Sequence, residues 1–162
     1  PNTMPWTEVH ERSLTALKEA LCQATDQPLR IADLNLPFSI SVDASDYAVA
    51  GYLSQSDATG VDHPLAFFSC KLSESQRAWA TVHKEAYAVL VGLRKFRNWI
   101  FGSEMIHVYS DHNPLTFLTE SAPKNAKLMR WSLALQEFNL SFHYIKGRLN
   151  VAPDCLSRMG PD

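Results

Sequence analysis

Cysteine and long apolar runs are both scarce in this sequence. Cys22, Cys70 and Cys155 are the three cysteines of the 162-residue chain, and their wide spacing without a CxxC pair indicates neither a disulfide framework nor a zinc site. No apolar run approaches the roughly 20 residues needed to cross a bilayer, and the amino end lacks the basic-then-apolar pattern of a signal peptide. We therefore expect a soluble protein of a reducing, intracellular compartment, with no membrane partner.

An excess of positive charge is also absent. The formal net charge is −2, whereas domains that bind nucleic acid on their own usually carry a clear positive excess. Any basic binding surface must therefore be local.

Flexible linkers, internal repeats and low-complexity tracts are missing as well, which favours one folded domain with an N-terminal appendage. Hydrophobic residues make up 46% of the chain and charged residues 20%, as is typical of a globular domain with a single core. Apolar residues at helical spacing predict a helix over Trp6–Ala24, and Pro28 breaks the pattern. The appendage is assigned to residues 1–36 and the main domain to residues 37–159. The start at Pro1, without an initiator methionine, suggests a piece of something longer.

The main domain begins with an alternating run that ends in a carboxylate. Apolar and polar residues alternate from Phe38 to Asp43, which predicts a half-buried strand with Asp43 on its polar side. Small Ala44 and Ser45 follow and would let a ligand approach. Because Asp and Ser also favour turns where strands stop, Asp43 is either a turn-former or a ligand for a hard cation.

A later strand, Met105–Asp111, ends in an aspartate in the same way. Between these two strands we predict strands at Tyr47–Gln55 and His63–Ser69, with Gly51 marking a close backbone approach or a bulge. A fifth strand is predicted at Leu140–Ile145. This order predicts an α/β fold, a mixed five-stranded sheet flanked by helices, in which the first and fourth strands lie side by side. Their two aspartates would then be within reach of one cation.

A glutamate lies on the longest predicted helix. That helix, in one or two segments, starts with a capping-box sequence at Ser73 and runs to about Phe101. Glu85 falls roughly 60° from the centre of the apolar stripe. Its carboxylate either extends to solvent at the rim or faces an interior cavity that holds a cation.

A third aspartate belongs to the closing helix. After a predicted helix at Ala122–Glu137, the last helix is predicted at Pro153–Met159, since proline suits the first helical position. Asp154 would then lie in the first turn, where the helix dipole favours negative charge.

Five stretches of the chain carry a family resemblance. They are Val42–Gln55 (VDASDYAVAGYLSQ), His63–Ser69 (HPLAFFS), Lys84–Val89 (KEAYAV), Ser110–Leu115 (SDHNPL) and Asn150–Arg158 (NVAPDCLSR). In this order they resemble the ribonuclease H domain of gypsy-type LTR-retrotransposon reverse transcriptases. The resemblance implies a ribonuclease H fold for residues 37–159. It also implies that residues 1–36 are a connecting helix and linker from the polymerase side.

The resemblance further implies endonucleolytic cleavage of the RNA strand of an RNA/DNA hybrid, with two Mg²⁺ or Mn²⁺ ions per site. The family's catalytic and metal-binding acids carry over onto Asp43, Glu85, Asp111 and Asp154. Asp43 is expected to bridge the ions, with Glu85 and Asp111 on one ion and Asp154 on the other. Carboxylates suit magnesium, which prefers oxygen ligands. The expected location is the cytoplasm or the interior of virus-like particles.

Two local departures accompany this resemblance. Pro153 stands where the family commonly has alanine. Cellular ribonucleases H carry a histidine-bearing loop before the last aspartate, and here only the short segment at residues 147–150 occupies that stretch, so a histidine helper is not expected.

Contacts with the hybrid are expected from basic side chains that bind phosphates, together with contacts to 2′-hydroxyl groups. The candidates are Lys84, Lys124, Lys127, Arg130, Lys146 and Arg148. A solvated surface charge explains each of them equally well. Given the net charge of −2, we expect the isolated domain to bind hybrid weakly and to gain affinity from the polymerase domain.

Two other functions compete with the nuclease. One is a domesticated or vestigial ribonuclease H-like module that serves as a non-catalytic binding platform. Four acids converging on one spot disfavour it, because like charges repel. The other is an integrase- or resolvase-type nuclease, which the position of the glutamate between the first two aspartates disfavours.

Overall fold

A computed structural model of the chain describes residues 5–25, 31–111, 126–146 and 150–158. The chain divides into two compact units, Pro1–Ile31 and Ala32–Asp162. The division falls a few residues before the predicted boundary at residue 36, because the side chain of Gln55 donates to the backbone carbonyls of Asp33 and Leu36 in the second unit. The assignment of residues 1–36 to a polymerase connection stays a prediction.

The first unit contains helix α1, Glu8–Thr25, close to the predicted Trp6–Ala24. The indole Nε1 of Trp6 donates to Glu11. Among the described residues, no helix is both long and apolar enough to cross a membrane.

The second unit is built on a mixed five-stranded sheet. Its strands are β1 (Phe38–Ala44), β2 (Ala48–Ser56), β3 (Asp62–Lys71), β4 (Ile106–Ser110) and β5 (Leu140–Tyr144). Their spatial order is β3-β2-β1-β4-β5. β1 pairs antiparallel with β2 and parallel with β4, and β5 continues parallel to β4. The predicted fold class and the predicted adjacency of the first and fourth strands are therefore confirmed.

Strand β1 is buried on both faces, so the prediction of a half-buried strand is wrong. Its polar residues Ser39, Ser41 and Asp43 are at most 8% exposed. Tertiary neighbours explain the difference: helix α3 (Thr81–Lys95) and the C-terminal helix α6 (Val151–Arg158) both pack against β1. Local alternation in a sequence shows which side chains share a face, but it does not show how many layers cover the sheet.

Glycine allows two close approaches in this core. A Cβ atom at Gly51 would lie 2.3 Å from the carbonyl oxygen of Ser41 on the neighbouring strand. A Cβ atom at Gly92 would lie 3.3 Å from Ile40, at the contact between α3 and the sheet. Gly51 is therefore a site of close backbone approach, and the irregularity between β2 and β3 falls at Leu53 and Ser54 instead.

The long helix predicted from Ser73 is divided into three. The capping box forms, because Ser73 Oγ accepts from the Gln76 N–H and the Gln76 side chain accepts from the Ser73 N–H. The helices are α2 (Glu74–Arg77), α3 (Thr81–Lys95) and α4 (Arg97–Ile100). Ala80 has extended backbone angles, φ −59° and ψ 148°, and is the N-cap of α3.

The C-terminal elements follow the predicted order with shifted bounds. Helix α5 spans Ala126–Leu135, and the start of the predicted Ala122–Glu137 helix lies outside the described residues. Helix α6 begins at Val151, so the prediction that Pro153 is the first helical residue is wrong. Pro153 is tolerated there because N–H groups in the first turn of a helix have no intrahelical partner. Asp154 still lies in the first turn.

Candidate metal centre

Two of the predicted acids lie where β1 and β4 stop pairing. The parallel register runs from Phe38 opposite Ile106 to Ser41 opposite Tyr109. Asp43 and Asp111 each follow two residues after the last pair. Because β1 pairs with β4, the two carboxylates lie at the same end of the sheet although they are far apart in the sequence.

Glu85 completes a compact cluster from helix α3. One carboxylate oxygen from each of Asp43, Glu85 and Asp111 lies within 4.8 Å of the others. Glu85 is only 2% exposed, so its carboxylate does not extend to solvent, and of the two predicted alternatives the interior position is correct. The structure therefore brings together three of the four predicted acids.

The electrostatics of the cluster favour protonation when no cation is present. Burial raises the pKa of Glu85 to about 9, and the charges of Asp111 and Asp43 act in the same direction, against a hydrogen bond from the Ala44 backbone. Burial also raises the pKa of Asp43, opposed by a hydrogen bond from Ser157 and reinforced by the charges of Asp111 and Asp154. A bound cation would reverse this balance, because opposite charge favours the ionised form.

One buried oxygen of the cluster is available as a ligand for a cation. Glu85 Oε2 is inaccessible to solvent and has no hydrogen-bond partner among the described residues, whereas buried polar atoms normally have one. Oxygen ligands from three carboxyl groups match the donor set that Mg²⁺ and Mn²⁺ prefer.

Asp154 lies beside this cluster and has a partner of its own. It is not one of the three acids within 4.8 Å, although its charge reaches Asp43 and raises the pKa of that carboxyl group. Its Oδ1 accepts a hydrogen bond from Arg158 Nε at 2.5 Å, one turn later on α6. Its predicted role as a fourth metal ligand stays a prediction.

The sequence analysis missed the residues that hold α6 in place. Ser157 Oγ donates to Asp43 Oδ2 at 2.6 Å, and Asn150 Nδ2 donates to the Val42 carbonyl at 2.8 Å. Both polar residues are buried. Their only signal in the sequence is membership of the NVAPDCLSR stretch, in which Asp154 is the one acid.

A cleft of about 440 Å³ opens beside the cluster. It is lined by Ala44, Ser45, Asp46, Tyr47, Thr81, Lys84 and Arg158. Lys84 is 4% exposed, and its ammonium donates to Asp46 Oδ1. This candidate for hybrid contact is thus a buried, paired cation that lines the cleft, and the alternative of a solvated surface charge does not apply to it.

The other predicted basic residues are dispersed. Lys127 places its ammonium 3.1 Å from the ring centre of Trp79 and 4.6 Å from that of Trp131. Arg130 and Lys146 are exposed. Lys124 and Arg148 lie outside the described residues. Contact with nucleic acid stays a prediction for all of these residues.

Comparison with known proteins assigns the chain to a family. Residues 33–138, which are more than half of the chain, match the family described as "RNase H-like domain found in reverse transcriptase". The chain is 37% identical over 150 residues to the "Retrovirus-related Pol polyprotein from transposon opus" of Drosophila melanogaster, covering 93% of this chain and 15% of that protein. It is 31% identical over 157 residues to the "Transposon Tf2-3 polyprotein" of Schizosaccharomyces pombe, covering 95% of this chain and 12% of that protein.

A solved structure supports the fold. The foamy viral protease-reverse transcriptase in complex with an RNA/DNA hybrid superposes with a TM-score of 0.60 at 21% identity, over 100% of this chain and 21% of that one. The chain therefore spans a small part of the relatives that it matches. It belongs to the RNase H-like domain family of reverse transcriptases, in the form carried by retrotransposon polyproteins.

Proposed function

We propose that this domain is an endonuclease that hydrolyses the RNA strand of RNA/DNA hybrids by two-metal-ion catalysis, as part of a retroelement reverse transcriptase polyprotein. The observation that carries the proposal is the buried cluster of Asp43, Glu85 and Asp111. A module that only binds a partner has no physical need for three carboxyl groups within 4.8 Å of one another, because their mutual repulsion and burial oppose folding in the charged state.

The residues of the site have distinct parts in this proposal. Two Mg²⁺ or Mn²⁺ ions would supply an activated water and stabilise the leaving oxygen of an in-line displacement at phosphorus. Asp43, Glu85 and Asp111 would hold the ions through carboxylate oxygens. Asp154 would join them after release from Arg158. The protein also holds the acids at a fixed strand end and helix, so that little reorganisation is needed during the reaction.

Selection of the RNA strand is expected to depend on its 2′-hydroxyl groups and on the shape of the duplex. The foamy viral relative in fold was solved with an RNA/DNA hybrid, which supports the same substrate class here. Proteins distinguish RNA from DNA through the 2′-hydroxyl and the shape of the duplex. The proposed substrate is therefore a hybrid without strong sequence preference.

Cleavage of a labelled hybrid tests the proposal. We expect Mg²⁺-dependent cutting of the RNA strand by the chain, and no cutting of duplex DNA. Asp43→Asn and Asp111→Asn should each lower the rate by at least about 100-fold, since even indirect disturbance of metal ligands costs 10–100-fold. Asp62→Asn, at an exposed acid that begins β3 and pairs with the far end of β2, is the matched control and should leave the rate unchanged. An intact hybrid with wild-type protein, or equal cutting by the cluster variants, would disprove the function.

Affinity for hybrid is proposed to come partly from the polymerase domain. The chain has a net charge of −2, and Lys84, next to Glu85 in sequence, is buried and paired with Asp46. The Michaelis constant should be higher for the isolated chain than for a polymerase-linked form. Equal constants would contradict this part of the proposal.

A further inference from the structure

Helix α6 is joined to the strand end that carries Asp43 by buried hydrogen bonds near both of its ends. Asn150, just before the helix, donates to the carbonyl of Val42, and Ser157, in the last turn, donates to the carboxylate of Asp43. Asn150 is 2% exposed and Ser157 is 0% exposed. Water therefore does not compete for the hydrogen bond between Ser157 and Asp43.

Ser157 is itself held by its surroundings. Its backbone carbonyl accepts from Ser45 Oγ at 2.5 Å, and the neighbouring carbonyl of Leu156 accepts from Ser69 Oγ at 3.1 Å. These bonds come from the β1–β2 turn and from β3. These two bonds hold the last turn of α6 against the β1–β2 turn and β3, independently of the Ser157 side chain.

The hydroxyl of Ser157 has one hydrogen and two acceptors in reach. Asp43 Oδ2 lies at 2.6 Å and the Asp154 carbonyl at 3.0 Å. The shorter contact is to a carboxylate, and hydrogen bonds to charged acceptors are stronger than those to neutral ones. The hydroxyl therefore belongs mainly to Asp43.

Anchoring one oxygen of a carboxylate restricts its rotation and fixes the direction in which its remaining lone pairs point. Groups that orient a metal ligand in this way affect ion affinity without touching the ion. Asp43 is the acid of the cluster that contacts α6: it lies with Glu85 and Asp111 in the cluster, and it also accepts the hydrogen bond from Ser157.

We propose that Ser157 is a positioning residue that orients the Asp43 carboxylate for a divalent cation and thereby links helix α6 to the metal centre. The inference rests on the proposed function for its biological use, but it concerns ion binding alone. It assigns a role to a residue that carries no charge and would not itself ligate the ion.

Titration of the chain with Mn²⁺ tests the inference, with free Mn²⁺ followed by electron paramagnetic resonance and no nucleic acid present. Ser157→Ala should weaken Mn²⁺ binding by about 10-fold or more, the size expected for a group that orients a ligand. Ser69→Ala is the control: it removes another hydroxyl bond to α6 without touching Asp43 and should change affinity less than twofold. Circular dichroism of the metal-free variants establishes the temperature at which each is folded, and titrations are made below it.

A second variant guards against loss of folding. Ser157→Cys keeps nearly the same shape but offers a weak donor, so it should also weaken Mn²⁺ binding. Wild-type affinity in either folded Ser157 variant would overturn the inference, as would equal weakening by Ser69→Ala, which would mean that the docking of α6 alone matters. Hybrid cleavage is not measured in this titration. A chain that binds Mn²⁺ with the expected Ser157 dependence but does not cut hybrid would therefore contradict the proposed function and support the inference.

Discussion

The ammonium of Lys84 and the carboxylate of Asp46 form an ion pair of 2.7 Å in which the lysine side chain is 5% exposed and the aspartate side chain 86%. The pair connects the β1–β2 turn to the first turn of α3, one residue before Glu85. The neighbouring cation lowers the pKa of Asp46. Because the buried ammonium of Lys84 is paired with the exposed carboxylate of Asp46, substitution of Asp46 would leave a buried charge without this partner.

Asp46→Asn should lower the melting temperature, because it leaves the buried ammonium without its charged partner. In the double variant Asp46→Asn with Lys84→Met, the loss should be smaller than the sum of the two single losses, since the pair is removed together. Thermal unfolding of the four proteins measures this coupling. Strict additivity would mean that the pair contributes nothing.

Glu85 should make the metal-free domain less stable as pH rises. The folded protein keeps a proton on Glu85 up to its pKa of about 9, whereas the unfolded chain releases it near the ordinary value of about 4.3. Between these values the folded state binds more protons, so stability falls with increasing pH, by at most about 1.4 kcal/mol per pH unit from this group. The raised pKa of Asp43 also makes stability fall as pH rises, at the lower end of this pH range.

Urea unfolding in a chelator between pH 5 and pH 9 measures that slope. Glu85→Gln should flatten it, because the amide does not titrate, and should make the metal-free protein more stable than wild type near pH 8. Saturating Mg²⁺ should oppose the loss in wild type but not in Glu85→Gln. A wild-type profile that is flat without metal would contradict the raised pKa.

Gly51→Ala should destabilise the sheet. Its new Cβ atom would meet the Ser41 carbonyl oxygen at 2.3 Å and the Phe68 ring at 2.8 Å, and overpacking of this kind typically costs about 1–3 kcal/mol. Gly60→Ala is a matched control, because Gly60 has a φ of +82° but no atom within 4 Å, so only backbone strain of about 1–2 kcal/mol applies. Chemical denaturation separates the two. A smaller loss at Gly51 than at Gly60 would count against the close approach.

Lys127 and Lys146 should affect different properties. Lys127 lies over the Trp79 ring, so Lys127→Ala should lower stability by about 0.5–2 kcal/mol, the range for a cation over an aromatic ring. Lys146 is exposed, and if it contacts a phosphate, Lys146→Ala should reduce the salt dependence of hybrid binding by about one unit of slope. Chemical denaturation measures the stability of Lys127→Ala, and fluorescence anisotropy of labelled hybrid at several salt concentrations measures the slope for Lys146→Ala. An unchanged slope for Lys146→Ala would remove that residue from the predicted contacts.

The order of strands along the chain could be predicted because each strand has a local sequence pattern. Asp43 and Asp111 could be placed because two of these alternating runs end in an acid. The sequence leaves two placements of Glu85 open, because a helical angle shows the side of the helix but not the depth of burial. The pairing of Ser157 with Asp43 could not be predicted, because it joins residues at opposite ends of the domain and neither side chain indicates the other. The burial of Lys84 was missed for the same reason: its partner Asp46 lies on a turn two strands earlier.

The parallel pairing of β1 with β4 also determines how early in its synthesis the chain can form the cluster of acids. β1 is made early, but the strand that brings Asp111 beside it follows only after β2, β3 and the whole of α3. A ribosome-bound fragment that ends before β4 contains β1, β2 and β3 but lacks Asp111. The cluster of Asp43, Glu85 and Asp111 is consequently completed late in synthesis, and under the proposed function a copy that stops before β4 would be inactive.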